Sequence, residues 1–233
     1  MSALAVVDLS SGYGEAIVVR AASIEVGRGE IVAVLGKNGM GKSTLLKTVM
    51  GFLPILAGTV RIAGEDVTGR APYHIARRAT AYTPQEQALF QDLSVDENLR
   101  LAVQDDGRRR EGLARVGEIF PFIPQRLRQR AGTLSGGEQK MLLIARALMT
   151  APRLVLVDEI TEGLQPSVVQ RLAAVLRAER DRAGTAMLLV EQHVAFALEV
   201  ADRYAVLKLG EIVDRGAAGD PGVERRIAAH LSV

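Results

Sequence analysis

A glycine-rich segment directly after a short apolar run constrains this chain more than any other feature. The run is Ile31–Leu35, and the segment GKNGMGKST extends from Gly36 to Thr44. The segment fits the pattern G-x-x-x-x-G-K-[ST], in which backbone N–H groups converge on phosphate oxygens at the N-terminus of a helix. Five consecutive apolar residues indicate a strand buried on both faces. The sequence therefore predicts a strand, a phosphate-binding loop and a helix from Lys42 to about Met50.

The periodicity on either side of this segment predicts two kinds of sheet. Towards the N-terminus, short β-like runs punctuated by glycine indicate a strand-rich subdomain. After residue 150, strands and helices alternate, which is typical of a parallel doubly wound sheet. The predicted strands are Leu4–Leu9, Ile17–Val19, Thr59–Ile62, Leu154–Val157, Ala186–Val190, Tyr204–Lys208 and Glu211–Asp214, and the later helices are Val168–Arg182 and Val194–Val200.

The amino-acid composition changes in the middle of the chain. From Glu86 to Ala131, β-branched residues become rare and Leu, Arg, Glu and Gln dominate, which predicts a helical insertion. Two S-x-x-E patterns, Ser94–Glu97 and Ser135–Glu138, are typical of capping boxes at helix N-termini, and the second helix is expected to end near Thr150. Asp105–Arg108 is interpreted as a loop within the insertion.

Composition excludes several classes of site and partner. The 233 residues include no cysteine, which excludes disulfides and thiol chemistry, and only three scattered histidines, so a structural zinc site is not expected. The net charge of +2 gives no argument for a nucleic-acid partner. No apolar run reaches the roughly 18 residues that span a bilayer, and the first residues do not fit a secretory signal. We therefore expect a cytosolic chain that reaches a membrane only through another subunit.

Two further motifs carry chemistry. The hexamer LSGGEQ, Leu134 to Gln139, places a serine and two glycines at a predicted helix N-terminus, which is an anion-receiving geometry. The acidic pair Asp158 and Glu159 ends a buried strand. A carboxylate there can hold a magnesium ion, and its neighbour can polarise a water molecule for attack on a phosphate.

The three motifs in this order resemble the ATP-binding cassette (ABC) ATPases, the motor subunits of membrane transporters, and the resemblance covers nearly the whole chain. It implies an α/β fold with a P-loop NTPase (RecA-like) core, an N-terminal antiparallel β-subdomain and an α-helical subdomain. It also implies a single domain over residues 1–233. Residues 1–85 and 151–233 would form the core and the β-subdomain, and residues 86–150 the helical subdomain with the LSGGEQ signature.

The resemblance assigns roles to individual residues, with ATP and Mg²⁺ as the ligands. Lys42 would reach the β- and γ-phosphates, Asp158 would be the magnesium carboxylate and Glu159 the general base. Ile160 departs from the family, which usually has proline there. The remaining residues of the phosphate loop expected to bind nucleotide are Gly36, Asn38, Gly39, Gly41, Ser43 and Thr44, of which Ser43 would also bind Mg²⁺.

Three further assignments depend on the resemblance. Tyr13 corresponds to an aromatic residue that stacks on adenine. Gln85 corresponds to a glutamine that would bind Mg²⁺ and link the magnesium site to the membrane subunit. Ser135, Gly136 and Gly137 of the signature would close over the ATP bound by a second subunit, so that two ATPs are sandwiched in a dimer. The groove near Gln85, with Leu89 and Phe90, would receive a short cytoplasmic helix of the permease.

One position departs from the family in a way that affects catalysis. ABC ATPases usually carry a histidine, the switch residue, ten residues before an aspartate that corresponds to Asp202. That spacing places Gln192 in the switch position, and His193 lies one residue later. We favour Gln192, with His193 as the alternative. Glutamine can hydrogen-bond a phosphate but cannot become cationic.

The departure at the switch position also narrows the resemblance to one group of ABC ATPases. This group is the ATPases of branched-chain amino acid and amide importers, the LivF type. The segments that resemble it are Val190–Gln192, Glu162–Pro166, Ala197–Arg203 and the tail ending Ala229–Leu231. The implied partners are permease subunits, a second ATPase in a homo- or heterodimer and, indirectly, a periplasmic binding protein. The implied location is peripheral, at the cytoplasmic face of the inner or plasma membrane. A lipopolysaccharide-type exporter ATPase and a weakly hydrolysing regulatory subunit remain as alternatives.

Overall fold

The structure is a computed structural model that describes residues 2–85 and 89–232. Its N-terminal part forms a four-stranded antiparallel sheet in the order β2-β1-β4-β5. This sheet confirms the predicted antiparallel β-subdomain, although β1, β2 and β4 are longer than predicted. The strands are β1 (Ser2–Tyr13), β2 (Ala16–Gly27), β4 (Ile55–Ile62) and β5 (Glu65–Asp66).

A second, six-stranded sheet forms the core, in the order β10-β9-β3-β8-β7-β6. Five of its strands run parallel, as predicted, and β10 pairs antiparallel with β9. The parallel strands β3, β6, β7 and β8 are each followed by a crossover, so the polar segments after β3, β7 and β8 meet at one edge of the sheet. The strands are β3 (Ile31–Leu35), β6 (Thr80–Thr83), β7 (Leu154–Asp158), β8 (Ala186–Glu191), β9 (Arg203–Lys208) and β10 (Glu211–Ala217).

Nine helices lie within the described residues. Five of them, α1, α3, α6, α7 and α8, were expected from the sequence, and α8 has the predicted bounds. The helices are α1 (Lys42–Val49), α2 (Pro72–Ala76), α3 (Val95–Arg100), α4 (Asp106–Ile119), α5 (Phe122–Gln125), α6 (Gly136–Leu148), α7 (Pro166–Ala183), α8 (Val194–Val200) and α9 (Val223–Leu231).

The central strands are buried on both faces because their alternate residues enter different cores. On β3, Val32 and Val34 pack with α1 and the antiparallel sheet. Ala33 and Leu35 point the other way, towards α8 and α9. On β7, Val155 belongs to a third cluster that extends into the helical region. This burial on both faces explains why the strands are continuous apolar runs in the sequence.

The helical region between β6 and β7 contains α3 to α6, and both predicted capping boxes are present at Ser94 and Ser135. The predicted loop Asp105–Arg108 is wrong. Asp105 is instead the N-cap of α4, and its side chain accepts the N–H of Arg108. The predicted start of the insertion, Glu86, lies outside the described residues, and the division of the chain into subdomains stays a prediction.

Candidate active site

The phosphate-loop motif forms the connection between β3 and α1. The Lys42 ammonium is nearly fully buried and donates to the carbonyl oxygens of Gly36 (2.8 Å) and Lys37 (2.9 Å). Two positions need glycine. A Cβ at Gly36 would lie 2.6 Å from the Leu207 carbonyl oxygen, and Gly41 has φ +99° at the N-cap of α1. The loop therefore has the wrapped backbone that the motif predicts.

The residues that follow β7 meet the start of α1. The Ser43 hydroxyl donates to one oxygen of Asp158 (2.9 Å), and the Tyr82 hydroxyl donates to the other (3.0 Å). Burial raises the pKa of Asp158, while these two hydrogen bonds act in the opposite direction. Burial, followed by the neighbouring charge of Asp158, raises the pKa of Tyr82. A buried carboxylate thus stands beside a hydroxyl at the end of the phosphate loop.

Glu159 joins three parts of the site. Its carboxylate pairs with the Lys42 ammonium at 2.8 Å and accepts the side-chain amide of Gln85 at 2.9 Å. Its backbone N–H donates to the carbonyl of Val190 on β8 (3.0 Å). Glu159 also has φ +43°, in the left-handed region that non-glycine residues seldom adopt. The fold therefore holds this side chain between the phosphate loop, β6 and β8.

Gln85 connects the site to the helical region. Its amide also donates to Glu162 (2.8 Å), and its backbone carbonyl accepts the ammonium of Lys140 on α6 (2.9 Å). The sequence predicts Gln85 as a link between the magnesium site and the membrane subunit. These contacts join it to Glu159 on one side and to α6 on the other.

A cavity of about 850 Å³ opens beside Glu159. Asn38, Gln192 and His193 line it, so both candidates for the switch position face the same space. Gln192 directly follows β8, and His193 is the N-cap of α8. Glu191 also lines the cavity, and burial raises its pKa to about 7. The choice between Gln192 and His193 stays a prediction.

Thr44 is buried in the first turn of α1, whereas the signature residues and Tyr13 lie at the surface. Ser135 begins α6 as an exposed N-cap, followed by Gly136 and Gly137. Within the described part of the chain, no hydrogen bond joins these three residues to the phosphate loop. Tyr13 ends β1 with about half of its surface exposed. The signature is therefore presented outwards rather than to the phosphate loop of its own chain.

The site fits a nucleotide and magnesium on its own geometry. Asp158 is 1% exposed, and among the described residues its hydrogen-bonding side chains are the hydroxyls of Ser43 and Tyr82, with no ion pair. A buried carboxylate next to a hydroxyl suits the oxygen coordination of Mg²⁺. The described residues contain no cluster of three or more His, Cys, Asp or Glu side chains that could hold a metal ion.

Sequence reasoning missed several residues of the site. Tyr82 and Thr161 are ordinary polar residues near motifs. Their hydrogen-bond partners, Asp158 and Glu191, lie far away in the chain. Glu191 had a visible signal, because it ends the otherwise apolar run Ala186–Val190. An acidic residue at the end of such a strand indicates a specific buried partner.

A model of the ABC transporter family matches residues 19–162 of the chain. The chain belongs to the ABC transporter family. The match includes the phosphate loop, the signature and the acidic pair, while Tyr13, Gln192 and His193 lie outside it. The ABC transporter assignment confirms the predicted resemblance and fold class, and the protein is an ATP-hydrolysing subunit of a transporter.

Individual relatives agree with this assignment. The chain is 42% identical to the high-affinity branched-chain amino acid transport ATP-binding protein BraG of Pseudomonas aeruginosa, over 90% of this chain and 91% of that protein. It is 33% identical to a probable branched-chain amino acid transport ATP-binding protein, LivF, of Archaeoglobus fulgidus, over 93% of each. It is 34% identical to the lipopolysaccharide export system ATP-binding protein LptB of Escherichia coli, over 93% of this chain and 91% of that protein.

A solved nucleotide-free ATP-binding cassette of an ABC transporter superposes with a TM-score of 0.88 at 24% identity, over 98% of this chain and 96% of that one, which supports the fold. ABC transporter ATPases act with membrane-spanning permease components and dimerise. In this chain, none of the described helices has both the length and the apolar character needed to cross a membrane.

Proposed function

We propose that this ABC ATPase powers import of branched-chain amino acids or related amides. The observation that carries ATP hydrolysis is the convergence of three predicted residues: Lys42 and Gln85 both contact Glu159 at hydrogen-bond distance. Import is supported by the 42% identity to BraG and by the Val190–Gln192 sequence that resembles such importers.

The phosphate loop would bind the nucleotide through backbone N–H groups of the glycine-rich turn and the N-terminus of α1. Lys42 would exchange part of its present contacts with Gly36, Lys37 and Glu159 for phosphate oxygens. Ser43 and Asp158 would hold Mg²⁺, with Gln85 nearby. When bound there, the ion neutralises negative charge on the phosphate oxygens. Tyr13 would stack on the adenine.

Glu159 would act as the general base. Its carboxylate is buried and is oriented by the Lys42 ammonium and the Gln85 amide. When Lys42 turns to the phosphate oxygens, the Gln85 amide would still orient the carboxylate, which could then accept a proton from an attacking water. Glu162 lies close by but is exposed, and it shares only the Gln85 contact. This difference in burial supports Glu159 rather than Glu162 as the base.

Ser135, Gly136 and Gly137 would complete the site of a second ATPase subunit. Support comes from their exposure and from the N–H groups at the start of α6, which suit a phosphate group. The dimer would therefore contain two ATPs between its subunits. The geometry of one chain is compatible with a homodimer and with a heterodimer.

The permease would dock in a second cavity of about 1250 Å³ that lies between α2, β6 and the helical region. Of the residues predicted for the permease groove, Phe90 lines this cavity, whereas Gln85 and Leu89 do not. Phe90 supplies exposed apolar surface there together with Tyr73 and Leu101. Arg146 also lines this groove, and burial lowers the pKa of its guanidinium. A partly buried cation in an apolar groove suits a helix that carries an acidic side chain or ends in free carbonyl groups.

The catalytic proposal is tested by Glu159→Gln. This variant keeps the shape of the side chain but cannot accept a proton, so we expect ATP turnover to fall by about 10²-fold or more with ATP binding retained. Glu162→Gln is the matched control and should keep most of the turnover. Normal turnover of Glu159→Gln would contradict the assignment.

The substrate proposal needs a cellular measurement. Deleting the gene should lower uptake of radiolabelled branched-chain amino acids, and the intact chain should restore it when the Glu159→Gln variant does not. Unchanged uptake together with loss of lipopolysaccharide from the cell surface would favour the exporter alternative.

A further inference from the structure

Glu191 is a buried acid that the proposed mechanism does not use. It is 2% exposed at the end of β8, and the five residues before it in that strand are apolar. Its carboxylate lies beside the cavity that also contains Glu159 and Gln192. Burying a carboxylate is costly unless hydrogen bonds compensate it, so its contacts indicate what it does.

The contacts of Glu191 join the end of its own strand to the turn after β7. One carboxylate oxygen accepts the hydroxyl of Thr161 (2.8 Å), and the other accepts the backbone N–H of Thr161 (3.3 Å). One side chain therefore ties the end of β8 to the turn after β7.

The turn held by Thr161 carries the proposed base. Glu159 lies two residues earlier and has φ +43°, a strained conformation that persists only where the surroundings determine it. Between them, Ile160 is fully buried but lacks the ring by which proline would fix the backbone. Thr161 also begins the tight turn to Leu164, whose N–H donates to the Thr161 carbonyl (3.2 Å).

We propose that Glu191 is a positioning residue, which holds Thr161 and thereby fixes Glu159. The proposal rests on the assignment of Glu159 as base. Glu191 itself touches no reacting atom in this scheme. Its effect passes through the backbone between Glu159 and Thr161.

The chain contains a matched pair that separates positioning from simple stability. At the opposite end of β8, the Thr185 hydroxyl donates to the carboxylate of Glu179 (2.8 Å), and both residues are buried. This pair repeats the threonine-to-glutamate hydrogen bond of Thr161 and Glu191 but lies away from the cavity beside Glu159, and Glu179 also forms an ion pair with Arg115. Threonine substitutions at the two ends of the strand therefore remove the same kind of hydrogen bond and differ in their distance from the base.

Steady-state kinetics of the full-length chain test the proposal. Thr161→Val should lower kcat by about 10-fold with little change in the KM for ATP, because a misplaced base slows chemistry more than binding. Thr161→Ser keeps the hydroxyl and should restore kcat to within about twofold, and Thr185→Val should leave kcat unchanged. Equal losses in Thr161→Val and Thr185→Val, or no loss in Thr161→Val, would overturn the proposal.

Hydrogen exchange of residues 159–164 gives a readout that does not depend on turnover. Glu191→Ala should speed exchange in this turn by about 10-fold or more, whereas Glu179→Ala should not. Unchanged exchange in Glu191→Ala would also overturn the proposal. Measuring Glu159→Gln in the same series separates the two hypotheses. If Glu159→Gln stays active, the base assignment has failed, whereas an inactive Glu159→Gln beside an unaffected Thr161→Val removes only the role of Glu191.

Discussion

At the scale of single residues, the predicted switch position would distinguish this chain from most ABC ATPases if Gln192 fills it. Gln192 and His193 are both exposed and both line the cavity beside Glu159. If Gln192 fills the position, no group there can become cationic near the γ-phosphate, and stabilisation of the transferred charge is weaker. We expect Gln192→Ala to lower ATP turnover modestly and His193→Ala to have little effect.

Parallel measurement of kcat for the two variants checks this prediction, with ATP binding as the control for folding. Loss of activity in His193→Ala but not in Gln192→Ala would mean that His193 is the switch residue. The same result would mean that the switch position can become cationic, and weaker stabilisation of the transferred charge would then no longer be expected.

Glu191 gives the chain a specific dependence of stability on pH. Its pKa is about 7 in the folded protein, against an ordinary value of 4.5. As the pH rises, the unfolded chain therefore loses this proton at a lower pH than the folded protein does. The contribution of Glu191 to the free energy of unfolding is complete below pH 4.5 and is lost as the pH rises through 7. The difference between the two pKa values corresponds to about 3 kcal/mol.

Urea unfolding at pH 5 and pH 8 measures this contribution. The free energy of unfolding should fall between these values, and Glu191→Gln should reduce the fall. The charged and titratable side chains that share the cavity with Glu191 are Glu159, Glu162, His193 and Glu199, and they are the same in both proteins. An identical fall in Glu191→Gln would contradict the raised pKa.

The sequence predicts those residues of the site whose function depends on their neighbours in the chain. The phosphate loop and the acidic pair are short motifs of this kind. Tyr82 meets Asp158 across 76 positions, and Thr161 meets Glu191 across 30. Such pairs arise from the order of strands in the sheet, which a single sequence does not specify.

At the scale of elements, helix starts are more predictable than helix bodies. Ser94 and Ser135 satisfy backbone N–H groups locally, so their capping boxes can be identified from four residues. Asp105 caps α4 without the S-x-x-E pattern, and Gly107 in its first turn suggests a loop. α9 was missed because its identity as a helix depends on Val223 and Ile227 packing against the core.

Strand β6 connects the proposed permease groove to Asp158, the proposed magnesium ligand. Tyr82 lines the groove, and its hydroxyl donates to Asp158. Hydrogen bonds of this kind orient a ligand of a metal, and their loss typically costs about 10- to 100-fold in affinity. We expect Tyr82→Phe to raise the Mg²⁺ concentration for half-maximal ATPase activity by about 10-fold.

Tyr204→Phe is the control for this prediction. The Tyr204 hydroxyl donates to Asp214 (2.8 Å) and accepts a hydrogen bond from Arg226 on α9, away from the candidate active site. Titration of ATPase activity with magnesium at saturating ATP compares the two variants. Equal magnesium dependence in Tyr82→Phe and the unmodified chain would exclude this role of the tyrosine hydroxyl.

At the scale of the whole molecule, the fold separates the two surfaces on which a nucleotide would bind. Lys42 and Ser43 lie beside Asp158 and Glu159, while Ser135 begins α6 on the exposed surface. If Ser135 serves the ATP of a second subunit, Ser135→Arg should leave ATP binding to one chain nearly normal. A large cation at that helix N-terminus should block closure of the dimer and abolish turnover.

Ser94 provides the control for this last prediction, because it caps α3 with the same pair of hydrogen bonds. Ser94→Arg removes an equivalent cap, worth about 1 kcal/mol, from a helix outside the proposed interface. In the Glu159→Gln background, ATP should dimerise the chain carrying Ser94→Arg but not the chain carrying Ser135→Arg, as measured by sedimentation. Loss of ATP binding in monomeric Ser135→Arg would show that the signature acts within its own chain, and the sandwich arrangement would then be wrong for this protein.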